Sequence, residues 1–102
     1  MHRARDHVAY APWLDELERI ADRLDLSTEA RSCAAELFLT DVPEADRSKR
    51  AVLAASIYAG SLVAGDGRTQ GEVAGAADVS RLSIQQRWKT VLERAGLEPP
   101  GW

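Results

Sequence analysis

The sequence predicts an all-α fold: five helices arranged around a central, almost wholly apolar third one, ending in a helix-turn-helix. Three observations predict it. Apolar residues recur at spacings of three and four in five separate stretches, and nowhere do they alternate with polar residues over the length of a strand. The stretch from Ala51 to Ala64 is apolar on most of its circumference, which places it in the middle with other helices packed round it. The run from Thr69 to Leu92 carries in succession a helix start, small residues, a turn residue and a second helix start.

Taken in order, residues 1–11 read as a tail, and Pro12 suits the first position of helix one, where its missing N–H costs nothing. Trp13, Leu14, Leu17, Ile20, Ala21 and Leu24 keep helical spacing to about residue 25, with acids at the start where the helix dipole favours them. Ser27 or Thr28 caps a second helix over about 29–40, whose apolar positions are Ala30, Cys33, Ala34, Leu37 and Phe38. Pro43 stops it at or before Val42. Ser48 is the expected cap of the central helix, and Gly65-Asp66-Gly67 breaks that helix and leads into Thr69.

Thr69 followed three residues later by Glu72 is a capping box, which starts a short helix over about 70–77. Ala74 and Ala77 are small enough for another helix to cross close by. Asp78 takes the turn, where a residue tolerant of positive φ is wanted, Val79 plugs it and Ser80 caps the next helix. In that helix Ile84, Trp88, Val91, Leu92 and Ala95 form one buried stripe, leaving Arg81, Ser83, Gln85, Gln86 and Lys89 facing out. Arg and Gln offer paired donors or acceptors to base edges, and Ser and Lys bind phosphate, so this flank suits a helix that reads DNA. Gly96 is a natural left-handed residue after the last helix, and Pro99-Pro100 prevent its continuation, leaving 97–102 as a second tail.

A chain of 102 residues supports one modest core, here a single domain over 12–96 with the helix-turn-helix at 69–95. No apolar run approaches a membrane span and no signal-length apolar segment follows the charged N-terminus, so a soluble cytoplasmic protein is expected. Cys33, the sole cysteine, excludes an internal disulfide and a zinc ribbon built from cysteine pairs. His2 and His7 lack companions that would complete a metal site, and Gly65-Asp66-Gly67 lacks the preceding strand and the following Lys-Ser/Thr of a phosphate loop. No catalytic constellation is evident, so neither enzyme chemistry nor a cofactor is expected. The net charge of −3 argues against binding nucleic acid by bulk attraction, so any contact must be local. Residues 80–90 supply that locality, with Arg81, Arg87 and Lys89 and no acid, whereas residues 13–25 are acidic on balance.

Ala54-Ala-Ser-Ile-Tyr58 in the central helix, Gly67-Arg-Thr-Gln70 at the junction, Glu72-Val-Ala74, Val79-Ser80 and Ser83-Ile84-Gln-Gln-Arg87-Trp-Lys89 carry a family likeness. Over residues 13–95, most closely over 49–92, the chain resembles one cyclin-like repeat of the archaeal transcription factor B and general transcription factor IIB family, more the second repeat than the first. The resemblance implies a cyclin-like domain that meets double-stranded promoter DNA in the major groove beside the TATA element, with TATA-binding protein as partner. Carried over by residue, the base-contacting positions fall at Leu82 and Gln85. The family commonly has arginine where this chain has Gln85, and glutamine pairs best with adenine whereas arginine suits guanine, so an altered base preference is expected.

A full family member also has an N-terminal zinc ribbon that engages RNA polymerase, and a second repeat. The expectation is therefore a small transcriptional regulator without polymerase recruitment of that kind, which binds DNA alone, pairs with a second copy of itself, or competes with the full-length factor. The DNA-facing set is Arg81, Leu82, Ser83, Gln85 and Gln86 at or near the bases, with Arg87 and Lys89 on the backbone. The alternative is a cyclin-like protein-binding module that keeps its helix-turn-helix only as architecture, a reading motivated by the acidic first helix.

Overall fold

The computed structural model describes residues 10–40, 42–43 and 46–97. All regular structure among them is helical: α1 (Ala11–Leu24), α2 (Thr28–Thr40), α3 (Asp46–Val63), α4 (Gln70–Ala77), α5 (Arg81–Gln85) and α6 (Trp88–Arg94). As its composition requires, α3 is buried without interruption from residue 51 to 61 and touches every other helix. No helix among the described residues is long and apolar enough to cross a membrane. His2 and His7 lie outside the described residues, as do 98–102.

Tyr10 precedes α1, its carbonyl accepting the N–H of Trp13 and of Leu14 and its ring standing edge-on to Phe38. α1 buries Leu17, Ile20 and Ala21. Ser27 is the cap of α2, its hydroxyl accepting the Ala30 N–H at 3.2 Å. The cap expected at Ser48 is corrected, because α3 already starts at Asp46 and Ser48 lies within its first turn. Arg47 is a good helix former and Asp46 suits a helix start, where the dipole favours an acid, so the helix extends back past the serine.

One terminal device recurs at the ends of α1, α3, α4 and α6. A residue with positive φ (Asp25, Gly65, Asp78, Gly96) turns the chain, and the next N–H bonds five residues back: Leu26 to Ala21, Asp66 to Ser61, Val79 to Ala74 and Leu97 to Leu92, at 2.9–3.1 Å. This satisfies carbonyls that the helix end would otherwise leave open.

α2 and α3 approach closely at Gly60, where a Cβ would lie 2.7 Å from the Ala34 backbone nitrogen. No local pattern in the chain marks that approach. Gly75, in α4, has open space where its Cβ would point. Since glycine inside a helix costs conformational entropy, Gly75→Ala should raise stability by about 0.5–1 kcal/mol in denaturant titration.

The junction between α3 and α4 is fastened to the α1–α2 turn by Arg68. Its guanidinium donates to the carbonyls of Leu24 (3.1 Å) and Asp25 (3.2 Å), at the C-terminus of α1, and to the Asp66 carboxylate (2.8 Å). The other Asp66 carboxylate oxygen accepts the Ser27 N–H at 2.9 Å. That backbone bond first, and Arg68 second, hold the Asp66 carboxyl below its ordinary value of 3.8. A carboxylate depressed by folding contributes stability that is complete above its unfolded pKa and is lost as pH falls through the folded one. Asp66→Asn should therefore flatten the acid side of the stability curve, seen as a smaller drop in Tm between pH 7 and pH 3 than in the wild type, measured by thermal melts.

Candidate nucleic-acid interface

α4 and α5 are two helices joined by a short turn at Asp78, and each link in the unit follows from a local rule. Thr69 Oγ1 accepts the Glu72 N–H at 3.0 Å and the Glu72 carboxylate accepts the Thr69 N–H at 2.9 Å, so the capping box is reciprocal. The same backbone bond holds the Glu72 carboxyl below its ordinary value. Val73, Ala74 and Ala77 are the buried face of α4. Asp78 takes the left-handed conformation at φ 58°, and Ser80 caps α5 through the Ser83 N–H at 3.1 Å.

Two arginines that the sequence did not single out fix the unit to the body. Arg23 of α1 donates to the Ala76 carbonyl at 2.7 Å and Arg50 of α3 to the Ala77 carbonyl at 3.2 Å. Both cations thus sit at the C-terminus of α4, where open carbonyls and the helix dipole favour positive charge. Arg50 also pairs with Glu16 at 3.1 Å and lies over the Trp13 ring, 5.8 Å from its centroid. Their carbonyl partners stand 53 and 27 positions away, so no local pattern could have revealed the clamp.

The single helix expected after Ser80 is corrected to two segments, α5 and α6, broken at Gln86 and Arg87. The Arg87 N–H bonds Ile84, three residues back, instead of Ser83. Its own guanidinium reaches the Ser83 carbonyl at 3.4 Å, where a continuous helix would place that N–H. Beyond the break the buried stripe is kept: Ile84, Trp88, Val91 and Leu92 face the core, and the Trp88 ring meets Tyr58 edge-on at 5.4 Å.

The break divides the expected DNA-facing residues. Arg81, Leu82, Gln85, Gln86 and Lys89 are exposed, and nothing among the described residues covers the flank they form. Leu82 is 61% exposed, more than any other large apolar side chain of the described residues. Ser83 does not face out as expected. It is half-buried with its hydroxyl 2.9 Å from that of Ser80, on the wall of a groove of about 490 Å³ that Trp13 and Arg50 also line. A residue four positions before Arg87 shares its side of the helix, and Arg87 is half-buried too. The Lys89 ammonium lies 5.6 Å from the Trp88 ring centroid.

One polar contact within this surface had no sequence signal. Gln70, the first residue of α4, donates its side-chain N–H to the side-chain oxygen of Gln85, the last residue of α5. The surface therefore presents an apolar side chain, a braced amide and cations at its edges. It offers no nucleophile–base pair, and no group of histidine, cysteine and acid side chains among the described residues could hold a metal ion.

Residues 11–94 match the family model described as the transcription factor TFIIB repeat. The chain is 33% identical over 89 residues to the transcription initiation factor IIB of Pyrococcus abyssi, an alignment covering 84% of this chain and 30% of that protein. It is 35% identical over 82 residues to the factor of the same name from Haloarcula vallismortis, covering 78% of this chain and 72% of that sequence. With transcription initiation factor IIB 7 of Halobacterium salinarum it shares 34% identity over 82 residues, 78% of this chain and 25% of the relative. The chain thus spans less than a third of the length of the Pyrococcus relative. An all-helical domain with a buried central helix, matched over 11–94 by that model, belongs to the transcription factor TFIIB repeat family.

Proposed function

We propose that this chain is a DNA-binding module of transcription initiation that reads promoter DNA with the outer flank of α5. The observation that carries the reading is the uncovered Leu82, with Gln85 one turn further along the same face. Water exposure of a leucine earns the monomer nothing, whereas in a major groove the same side chain packs on a thymine methyl group. Gln85 offers an acceptor and a donor to adenine, and Arg81, Lys89 and the remaining donors of Arg87 neutralise phosphates at the edges. Family membership supports double-stranded DNA and TATA-binding protein as partners.

The test is a binding-site selection followed by mobility shifts on the selected duplex, with and without TATA-binding protein, over a range of potassium chloride. Enrichment of a motif supports the reading, and no enrichment under either condition overturns it. Binding that needs the added protein marks ternary recognition. Lys89→Ala should weaken all sequences by the same factor and reduce the slope of log K against log salt by about one unit.

A second reading rests on α1, where the exposed Asp15, Glu18 and Asp22 beside a groove of about 560 Å³ between α1 and α2 outnumber Arg31, the cation that pairs with Glu18 and Asp22. That face suits a basic protein partner. Copurification of a stoichiometric protein, with no DNA retained at low salt, would favour it.

A further inference from the structure

We infer that Gln70 is a specificity-positioning residue: it braces the side-chain amide of Gln85 so that Gln85 meets a base edge in one orientation. The inference rests on the DNA-reading proposal and adds to it a residue on the other helix of the unit.

A lone glutamine on an exposed helix flank samples many rotamers, and its amide can present oxygen or nitrogen in either place. Ordering such a side chain on binding opposes complex formation. Here the Gln70 side-chain N–H is donated into the Gln85 oxygen. Gln70 is half-buried, and it stands at the first position of a helix whose start is locked by the Thr69–Glu72 capping box, so the donor is held by the fold. The Gln85 oxygen has two lone pairs, of which Gln70 uses one, and both N–H bonds of Gln85 remain for a ligand. That leaves one acceptor and a donor side by side, which is what adenine requires, with its N6–H donating to the oxygen and its N7 accepting from the nitrogen. Guanine offers acceptors at both places and meets the Gln85 oxygen with repulsion. The bond between α4 and α5 thus sets which way round the amide stands before DNA arrives.

Four variants of the chain test this by binding-site selection and competition shifts, with thermal melts to verify folding. Gln70→Ala removes the brace, and the preference for adenine over guanine at the Gln85 position should fall by roughly two- to ten-fold, the cost of ordering one long side chain on binding. Gln70→Glu, well tolerated at a helix N-terminus, accepts hydrogen bonds only. It should turn the Gln85 nitrogen inward and abolish the adenine preference, while base preferences elsewhere in the site stay as in the wild type. In a Gln85→Ala background, Gln70→Ala should have no further effect on selectivity. An unchanged adenine preference in both Gln70 variants overturns the inference and leaves the DNA-reading proposal standing. So does a uniform loss of affinity with selectivity intact, which marks a structural role only. A wild type that selects no motif overturns both.

Discussion

Replacing Gly60 by alanine is expected to lower stability by roughly 2 kcal/mol, about 10 °C in Tm for a domain of this size. The new methyl carbon would lie 2.7 Å from the backbone nitrogen and 2.9 Å from the Cα of Ala34. Neither atom can rotate away, so α2 and α3 must separate along their contact. Overpacking of that kind costs about 3 kcal/mol, while alanine returns about 1 kcal/mol of helix propensity. Ala34→Gly should not rescue the variant, because the two shortest contacts are with main chain. Gly75→Ala, the same substitution where the Cβ meets nothing, is expected to move Tm the other way. A Gly60→Ala protein that melts at the wild-type temperature would mean that the two helices part without cost.

That pair of glycines marks what the sequence could and could not convey. Gly60 and Gly75 both sit inside helices, and nothing within four residues of either says which one faces another backbone. The features legible beforehand were those whose partners lie within a few positions: the Thr69–Glu72 box, the positive φ at Asp78, the Ser80 cap, and the left-handed Gly96. The apolar stripe from Ile84 to Leu92 was legible because helical periodicity survives the break at Gln86 and Arg87. The break itself was not, since Gln and Arg are good helix formers and its stabilising contact is a side chain bonding a carbonyl. Of the candidate surface, the sequence identified the outward residues but misplaced Ser83, which the break and the Ser80 cap turn toward the groove by Trp13. The supports from Arg23, Arg50, Arg68 and Gln70 were hidden, because each joins elements or turns that only the tertiary fold brings together.

Gln85→Arg is expected to change the base selected at one position from adenine to guanine, the largest functional effect of any single substitution in the exposed flank. Arginine donates two N–H bonds to the O6 and N7 of guanine, where glutamine needs a donor and an acceptor on the base. Each such pair discriminates by about 1–3 kcal/mol, so reversing it moves the adenine-to-guanine ratio by roughly 30-fold at least. The site tolerates the exchange: Gln85 is exposed at the end of α5, and the oxygen of a turned Gln70 amide can accept from the guanidinium. Stability should stay within about 0.5 kcal/mol of the wild type, as for other surface substitutions, so a change in selection is not a change in folding. Added positive charge strengthens binding to every sequence, which is why the ratio, read by competition on duplexes differing in one base pair, is the quantity to measure. If the arginine variant and the wild type select the same base, Gln85 does not touch the bases, and the flank that holds Leu82 and Gln85 meets something other than a major groove.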